Sequence, residues 1–250
     1  MKKLENKVAI ITGATSGIGK AIAITFVANG AKVILSGRDE TRGNELSNEL
    51  GENAIFIAGD ITNAAYNKEL ITAAIDHFGK LDILSLNAGI LGLGSVTELS
   101  GELWKNTIDT NLSSIFYLSK YGIPELQKNE GSAILINASI AAYKSFPNHP
   151  AYCASKAGSL ALMRQMAVEY APEIRVNAMC PGPVDTPLLW GSAKAFEHPK
   201  EAVENAANKT LLKRLGQPKD IANLALFLVS DDASWITGSA MTIDGGILNA

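Results

Sequence analysis

The chain is poor in cysteine. Its 250 residues hold two, Cys153 and Cys180, which form neither a CxxC nor a CxxxC pair. That argues against a disulfide scaffold and against a cysteine-rich zinc site. The three histidines, His77, His149 and His198, show no metal-ligand spacing, so no metal is expected. Positive charge is not in excess: 22 Lys+Arg face 25 Asp+Glu, a net charge of −3. The electrostatic footprint of a nucleic-acid partner is therefore missing. Long apolar runs are absent too. The longest stretch without a charge, Ile83–Thr97, is 15 residues and is broken by Asn87 and by glycine and serine positions. A membrane span needs about 20 mostly apolar residues. Met1-Lys2-Lys3 is followed by Leu4-Glu5-Asn6-Lys7 rather than by the apolar core of a signal peptide. A soluble, cytoplasmic protein with no membrane partner is expected. Charged residues make up only 19% against 47% hydrophobic, which supplies a core and excludes disorder.

What is there is an alternation of β-branched runs and helical spacings. Strands are expected at Lys7–Thr12, Lys32–Ser36, Ala54–Ala58, Ile83–Leu86, Ser132–Asn137, Ile174–Met179 and Ala240–Ile243. Helices are expected at Gly17–Asn29, Asp39–Leu50, Ala64–Phe78, near Gly101–Gln127, at Ala151–Tyr170 and at Pro218–Val229. Seven strands alternating with helices predict one α/β domain over residues 1–250, with a parallel sheet covered on both faces. Right-handed crossovers make it a doubly wound, Rossmann-type fold. Pro181–Asn208 reads as irregular with a weak helix. Its part at about 187–208 is expected to be a substrate-loop insertion and a mobile lid, interrupted by Gly191, Ser192 and Pro199.

Thr12-Gly13-Ala14-Thr15-Ser16-Gly17-Ile18-Gly19 joins the first strand to the first helix. Gly13, Gly17 and Gly19, spaced GxxxGxG, with Thr15, Ser16 and Ile18, would bring backbone N–H groups at a helix N-terminus onto a pyrophosphate. A plain glycine-rich turn is the bland alternative; the place after the first strand favours the dinucleotide. At the end of the second strand Gly37 leaves empty the position of a ribose-binding acid, and Arg38 follows. NADP(H) is expected, with NAD(H) the alternative. Asp60, beside Ile61, can accept from an adenine amino group or cap the next helix. Asn87-Ala88-Gly89 follow the fourth strand, small enough to let the backbone approach a flat ring.

Ser139 lies just past the fifth strand, and Tyr152 and Lys156 stand four apart on one helix face. Tyr-x-x-x-Lys alone is a weak signal and equally describes a tyrosine packed beneath a lysine. The combination with a serine and a nucleotide loop carries the chemistry. A phenol has a reference pKa near 10, and a neighbouring ammonium stabilises its phenolate. Tyr152 can then exchange a proton with a carbonyl oxygen while Ser139 hydrogen-bonds that oxygen.

In this order of elements, with Pro181-Gly182, Ile236-Thr237-Gly238 and Asp244-Gly245-Gly246 near the end, nearly the whole chain resembles the short-chain dehydrogenase/reductase family. The resemblance implies a catalytic tetrad of Asn111, Ser139, Tyr152 and Lys156. It assigns Tyr152 as acid/base, Lys156 to the nicotinamide ribose and to lowering the tyrosine pKa, and Asn111 to a water in a proton relay. It places Pro181, Gly182, Val184 and Thr186 beside the nicotinamide. Leu86 stands where the family often has a second Asn. The expected activity is NADP(H)-dependent interconversion of a secondary alcohol and a ketone. The alternatives are a 3-oxoacyl-[acyl-carrier-protein] reductase and a non-enzymatic dinucleotide sensor. Ile140, Ala141, Ala142, Leu188, Leu189 and Trp190 are expected to form an apolar substrate pocket. Two poorly basic segments, 127–130 and 169–173, are expected to flank the cleft and argue against docking an acidic carrier. Cys153 is expected to be a packed thiol, and His149, in the loop before Tyr152, a surface-loop residue, with a place at the border of the substrate pocket as the alternative. Surplus apolar residues on helix 157–171 and at Ala233–Gly238 predict a homotetramer with two two-fold interfaces.

Overall fold

The structure is a computed structural model that describes residues 2–250. Its centre is one sheet of seven parallel strands in the order β3-β2-β1-β4-β5-β6-β7. The strands are β1 (Val8–Thr12), β2 (Lys32–Gly37), β3 (Ala54–Ala58), β4 (Ile83–Leu86), β5 (Ser132–Asn137), β6 (Ile174–Pro181) and β7 (Ala240–Ile243). The predicted doubly wound fold is the one observed; β3, β4, β5 and β7 have the expected bounds, and β1, β2 and β6 each differ at one end by one or two residues.

The strands are apolar on both faces because helices cover both, and successive side chains divide between two cores. In β1, Val8 and Ile10 join one core and Ala9 and Ile11 the other. The first core receives α3 (Ala64–Phe78), α5 (Ser114–Leu126) and α6 (Pro150–Tyr170) through residues such as Leu70, Leu118 and Met163. The second receives α1 (Gly17–Ala28), α2 (Glu40–Leu50) and α9 (Pro218–Val229) through Phe26, Leu46 and Ile221.

The helix expected over 101–127 is divided. Between α4 (Gly101–Ile108) and α5 the backbone takes a π turn at Asp109–Ser113. The insertion after β6 is more regular than expected: α7 (Pro187–Ala193) and α8 (Pro199–Lys209), each opened by a proline at its first position. Gly191 and Ser192 lie inside α7, so the break falls at 194–198 rather than at those residues. The strand order reverses between β1 and β4, and the chain leaves both at their carboxyl ends toward opposite sides of the sheet. That crevice is where an open α/β sheet takes a ligand. Among the described residues no helix is long and apolar enough to cross a membrane.

Candidate active site

The carboxyl ends of β1, β2 and β4 open onto a cleft of about 690 Å³ lined by Gly13, Thr15–Gly19, Arg38, Asp60, Ile61 and Asn87–Gly89. Its floor needs glycine. Gly13 and Gly17 have positive φ, and a Cβ on Gly19 would meet the Gly13 carbonyl oxygen at 2.3 Å. Ser16 makes no side-chain cap to α1, and the first turn carries no acid, which leaves its amides free for an anion. Across the crevice Thr12 Oγ1 accepts from the backbone N–H of Asn87 at 2.9 Å and of Ala88 at 3.1 Å, fixing the loop after β4. Two buried acceptors on this wall, Asn87 Oδ1 and Asn137 Oδ1, have no partner among the described residues. Orphaned buried acceptors in a polar cleft are complementary to a bound molecule with hydrogen-bond donors. The cradle, the anion-ready helix end and the orphaned acceptors all fit a nicotinamide dinucleotide.

At the far end of this cleft the acid position is closed sterically. A Cβ on Gly37 would lie 2.6 Å from Thr15 Cγ2. Arg38 is exposed and Arg42 lines the same cleft. Asp39 also lies here, a carboxylate the sequence reading did not weigh. It caps α2 by accepting from the Arg42 N–H at 2.9 Å, and its other oxygen meets the Arg42 guanidinium at 2.7 Å. The Arg42 backbone N–H, then its guanidinium, hold the Asp39 carboxyl below the usual carboxylate range. Asp60 does not cap α3; Asn63 does, while Asp60 Oδ1 accepts from the Thr62 N–H and hydroxyl at 2.9 Å.

A second cavity of about 230 Å³ adjoins the first, and Ser139, Tyr152 and Lys156 stand on its wall. Ser139 leaves β5 in an extended conformation and caps a short 3₁₀ turn, accepting from the Ala141 N–H. Its hydroxyl lines the same cavity as the Tyr152 phenol. Lys156 is buried; its Nζ lies 5.6 Å from the centre of the Tyr152 ring and donates to the Asn137 carbonyl at 2.7 Å. Burial pushes the Tyr152 phenol up to about 12, against a lowering hydrogen bond from Ser139. Burial likewise holds the Lys156 ammonium down, to about 8. In the protein alone, desolvation therefore outweighs the expected lowering of the tyrosine by the lysine.

Asn111 sits in the π turn, fully buried. Its Oδ1 accepts from the Ile90 N–H at 2.8 Å, and its Nδ2 donates to the Ile90 carbonyl and to Ser155 Oγ at 2.9 Å. Its side chain thus braces the loop after β4 against the helix that carries Tyr152. Pro181, Gly182, Val184 and Thr186 line the second cavity, and Thr186 caps α7.

Ile140, Ala141, Leu188 and Leu189 lie on that cavity, as expected. Trp190 does not: its Nε1–H is held by Asp185 at 2.9 Å, and the ring is turned to solvent. Ala142 instead packs on the core. His149, expected on the surface, is 3% exposed, lines the cavity and bonds Ser192 at 2.8 Å. One signal did point to it: it stands three residues, about one helical turn, before Tyr152. Phe146, Phe196 and Val203 complete an apolar wall that sequence spacing did not reveal. Segments 127–130 and 169–173 do not flank the cleft. They lead into the amino ends of β5 and β6, the opposite edge of a parallel sheet, so their charge says nothing about a carrier.

Comparison with known proteins agrees with this geometry. Residues 13–248 match the family model described as enoyl-(acyl carrier protein) reductase. An uncharacterized oxidoreductase of Thermotoga maritima is 39% identical over 97% of both chains. The 7alpha-hydroxysteroid dehydrogenase of Escherichia coli is 40% identical over 98% of this chain and 95% of its own. The crystal structure of a short-chain dehydrogenase/reductase from Brucella melitensis superposes with a TM-score of 0.93 at 35% identity, covering 99% of each chain. On matches of this extent, the chain is an oxidoreductase that belongs to the short-chain dehydrogenase/reductase family.

Proposed function

We propose that the protein interconverts a free secondary alcohol and a ketone, prefers NADP(H), and uses Tyr152 as the proton-transferring group. The observation that carries this reading is the juxtaposition of Ser139, Tyr152 and Lys156 on one apolar cavity that opens onto the dinucleotide cleft. When bound, the nicotinamide supplies or takes the hydride at the substrate carbon. In reduction the substrate oxygen accepts hydrogen bonds from Ser139 and Tyr152, and Tyr152 gives its proton to that oxygen. Lys156 stabilises the phenolate left behind and holds the adjoining ribose. Asn111 keeps the loop after β4 in place and belongs to the proton relay with Lys156. A phenol that holds its proton to about pH 12 suits reduction at neutral pH. Oxidation needs the phenolate and should quicken as pH rises. Asp60 and Ile61, on the dinucleotide cleft, would hold the adenine, and Val184 and Thr186 the carboxamide.

NADP(H) is favoured by Arg38, which lines the cleft and makes no ion pair among the described residues, and by the Gly37 position, where a Cβ would crowd Thr15 Cγ2. The competing Asp39 carboxylate is engaged by Arg42. A homotetramer in the cytoplasm completes the reading. Helix α6 buries Leu160 and Met163 inward yet leaves Val168 82% exposed, and Trp235 before β7 is 98% exposed; these two side chains mark the two proposed interfaces.

The test is turnover of NADPH, followed by its absorbance, with cyclic and linear ketones. Tyr152-dependent oxidation of NADPH supports the reading. Binding of the dinucleotide with no turnover of any ketone or alcohol would leave a dinucleotide sensor. Preference for an acetoacetyl thioester on a carrier protein would move the reading to the acyl-carrier reductase.

A further inference from the structure

The second cavity has one polar spot away from the reacting centre and the dinucleotide wall: the pair His149 and Ser192. His149 ends the loop before α6, and Ser192 projects from α7 on the other side of the cavity. His149 Nδ1 lies 2.6 Å from the Pro147 carbonyl oxygen. A carbonyl can only accept, so Nδ1 carries the hydrogen. In the neutral ring Nε2 is then an acceptor, and the Ser192 hydroxyl, 2.8 Å away, must spend its single hydrogen on it. The lone pairs of Ser192 Oγ have no protein donor among the described residues and sit on the cavity wall. The surroundings are apolar: Phe146, Leu189, Ala193 and Phe196 line the same space. In that setting an acceptor discriminates strongly in favour of a ligand that donates to it.

We propose that Ser192 Oγ, oriented by His149, is a specificity site that accepts a hydrogen bond from a second hydroxyl of the substrate. The substrate class is a hydroxy ketone, or the diol it yields on reduction, with the second hydroxyl remote from the reacting carbon. The inference rests on the ketone-reductase reading and refines it. His149 is a positioning residue in this arrangement. Its ring edge also meets the Tyr152 ring, with centroids 6.3 Å apart.

The experiment uses the full chain with NADPH and compares kcat/KM for 2-, 3- and 4-hydroxycyclohexanone with that for cyclohexanone. At least one hydroxy ketone is expected to be preferred by about fivefold or more, the range of one hydrogen bond. The methyl ether of that ketone, which keeps the oxygen and lacks the donor, is expected to lose the preference. Ser192→Ala is expected to bring the ratio close to one, whatever it does to both ketones together, and Ser192→Thr to retain it. A bond that merely latched α7 would slow all four ketones alike and leave the ratio untouched. Turnover of all four without preference, or a preference that survives in Ser192→Ala, overturns the site and leaves the ketone-reductase reading standing. No turnover of any ketone overturns that reading, and this site with it.

Discussion

Replacing Lys156 by Met should make the protein more stable while abolishing its chemistry. Lys156 is 4% exposed, and among the described residues no carboxylate pairs with it. Burial holds its pKa at about 8, against 10.5 for an ordinary lysine. At roughly 1.4 kcal/mol per pKa unit, keeping the folded chain charged at pH 7 costs about 3 kcal/mol. Methionine removes that cost. It also removes the 2.7 Å bond to the buried Asn137 carbonyl, a loss of about 1–2 kcal/mol. The variant is therefore expected to be about 1–2 kcal/mol more stable at pH 7, a rise of a few degrees in Tm. The pH dependence identifies the cause. The folded pKa is depressed, so between about 8 and 10.5 the unfolded chain binds a proton that the folded chain has shed. Wild-type stability then rises with pH across that window, and the full penalty applies only below it. Tyr152 acts oppositely. Its folded pKa of about 12 exceeds the ordinary 10, so stability falls with pH above 10 in both proteins. Urea unfolding at pH 7, 8, 9 and 10 measures the difference between variant and wild type, which should shrink steadily from pH 8 to 10. A variant less stable than wild type at pH 7, with a difference independent of pH, would refute the reasoning.

Arg38→Ala should weaken NADPH by about 1.5–3 kcal/mol, as for a lost charged hydrogen bond, and leave NADH nearly unchanged in fluorescence titrations. Equal wild-type affinity for the two cofactors would sink the assigned preference. Hydrogen exchange in α7 and α8 should be fast in the free protein and slow with cofactor and substrate bound; unchanged protection would show that the two helices are no lid. Light scattering at micromolar concentration should give four times the 26.4 kDa of one chain. A mass of one chain would remove both proposed interfaces, and a mass of two would leave only one.

Much of this architecture is legible in the sequence because its signals are local. A run such as Val8–Ile11 is apolar at every position and is followed by the buried Thr12, a pattern that suits a strand buried on both faces. Gly13, Gly17 and Gly19 mark a turn that favours glycine at each of these positions, and Tyr152 and Lys156 share a helix face by their spacing alone. What stayed hidden depends on distant contacts. The π turn at Asn111 has no strong local signature, and its purpose appears only when Ile90 and Ser155 arrive to bond the side chain. Trp190 reads as a pocket residue by neighbourhood with Leu188 and Leu189. A helix turn and the Asp185 carboxylate aim it outward instead. His149 reads as a loop residue until α7 folds over it with Ser192. Segments 127–130 and 169–173 read as cleft-flanking by their sequence distance from Ser139 and Pro181, which is not distance in a parallel sheet. They precede their strands, whereas the site lies beyond the strands' ends.

The central claim is that the Tyr152 hydroxyl transfers the proton that accompanies hydride transfer. Tyr152→Phe removes one oxygen from a ring otherwise held by the same neighbours. The direct measurement is the single-turnover rate of NADPH oxidation by a ketone substrate, with NADPH affinity measured on the same preparation. The account predicts a rate lower by about 10²–10⁴ with cofactor affinity retained. A variant that binds NADPH normally and oxidises it at close to the wild-type rate would contradict it.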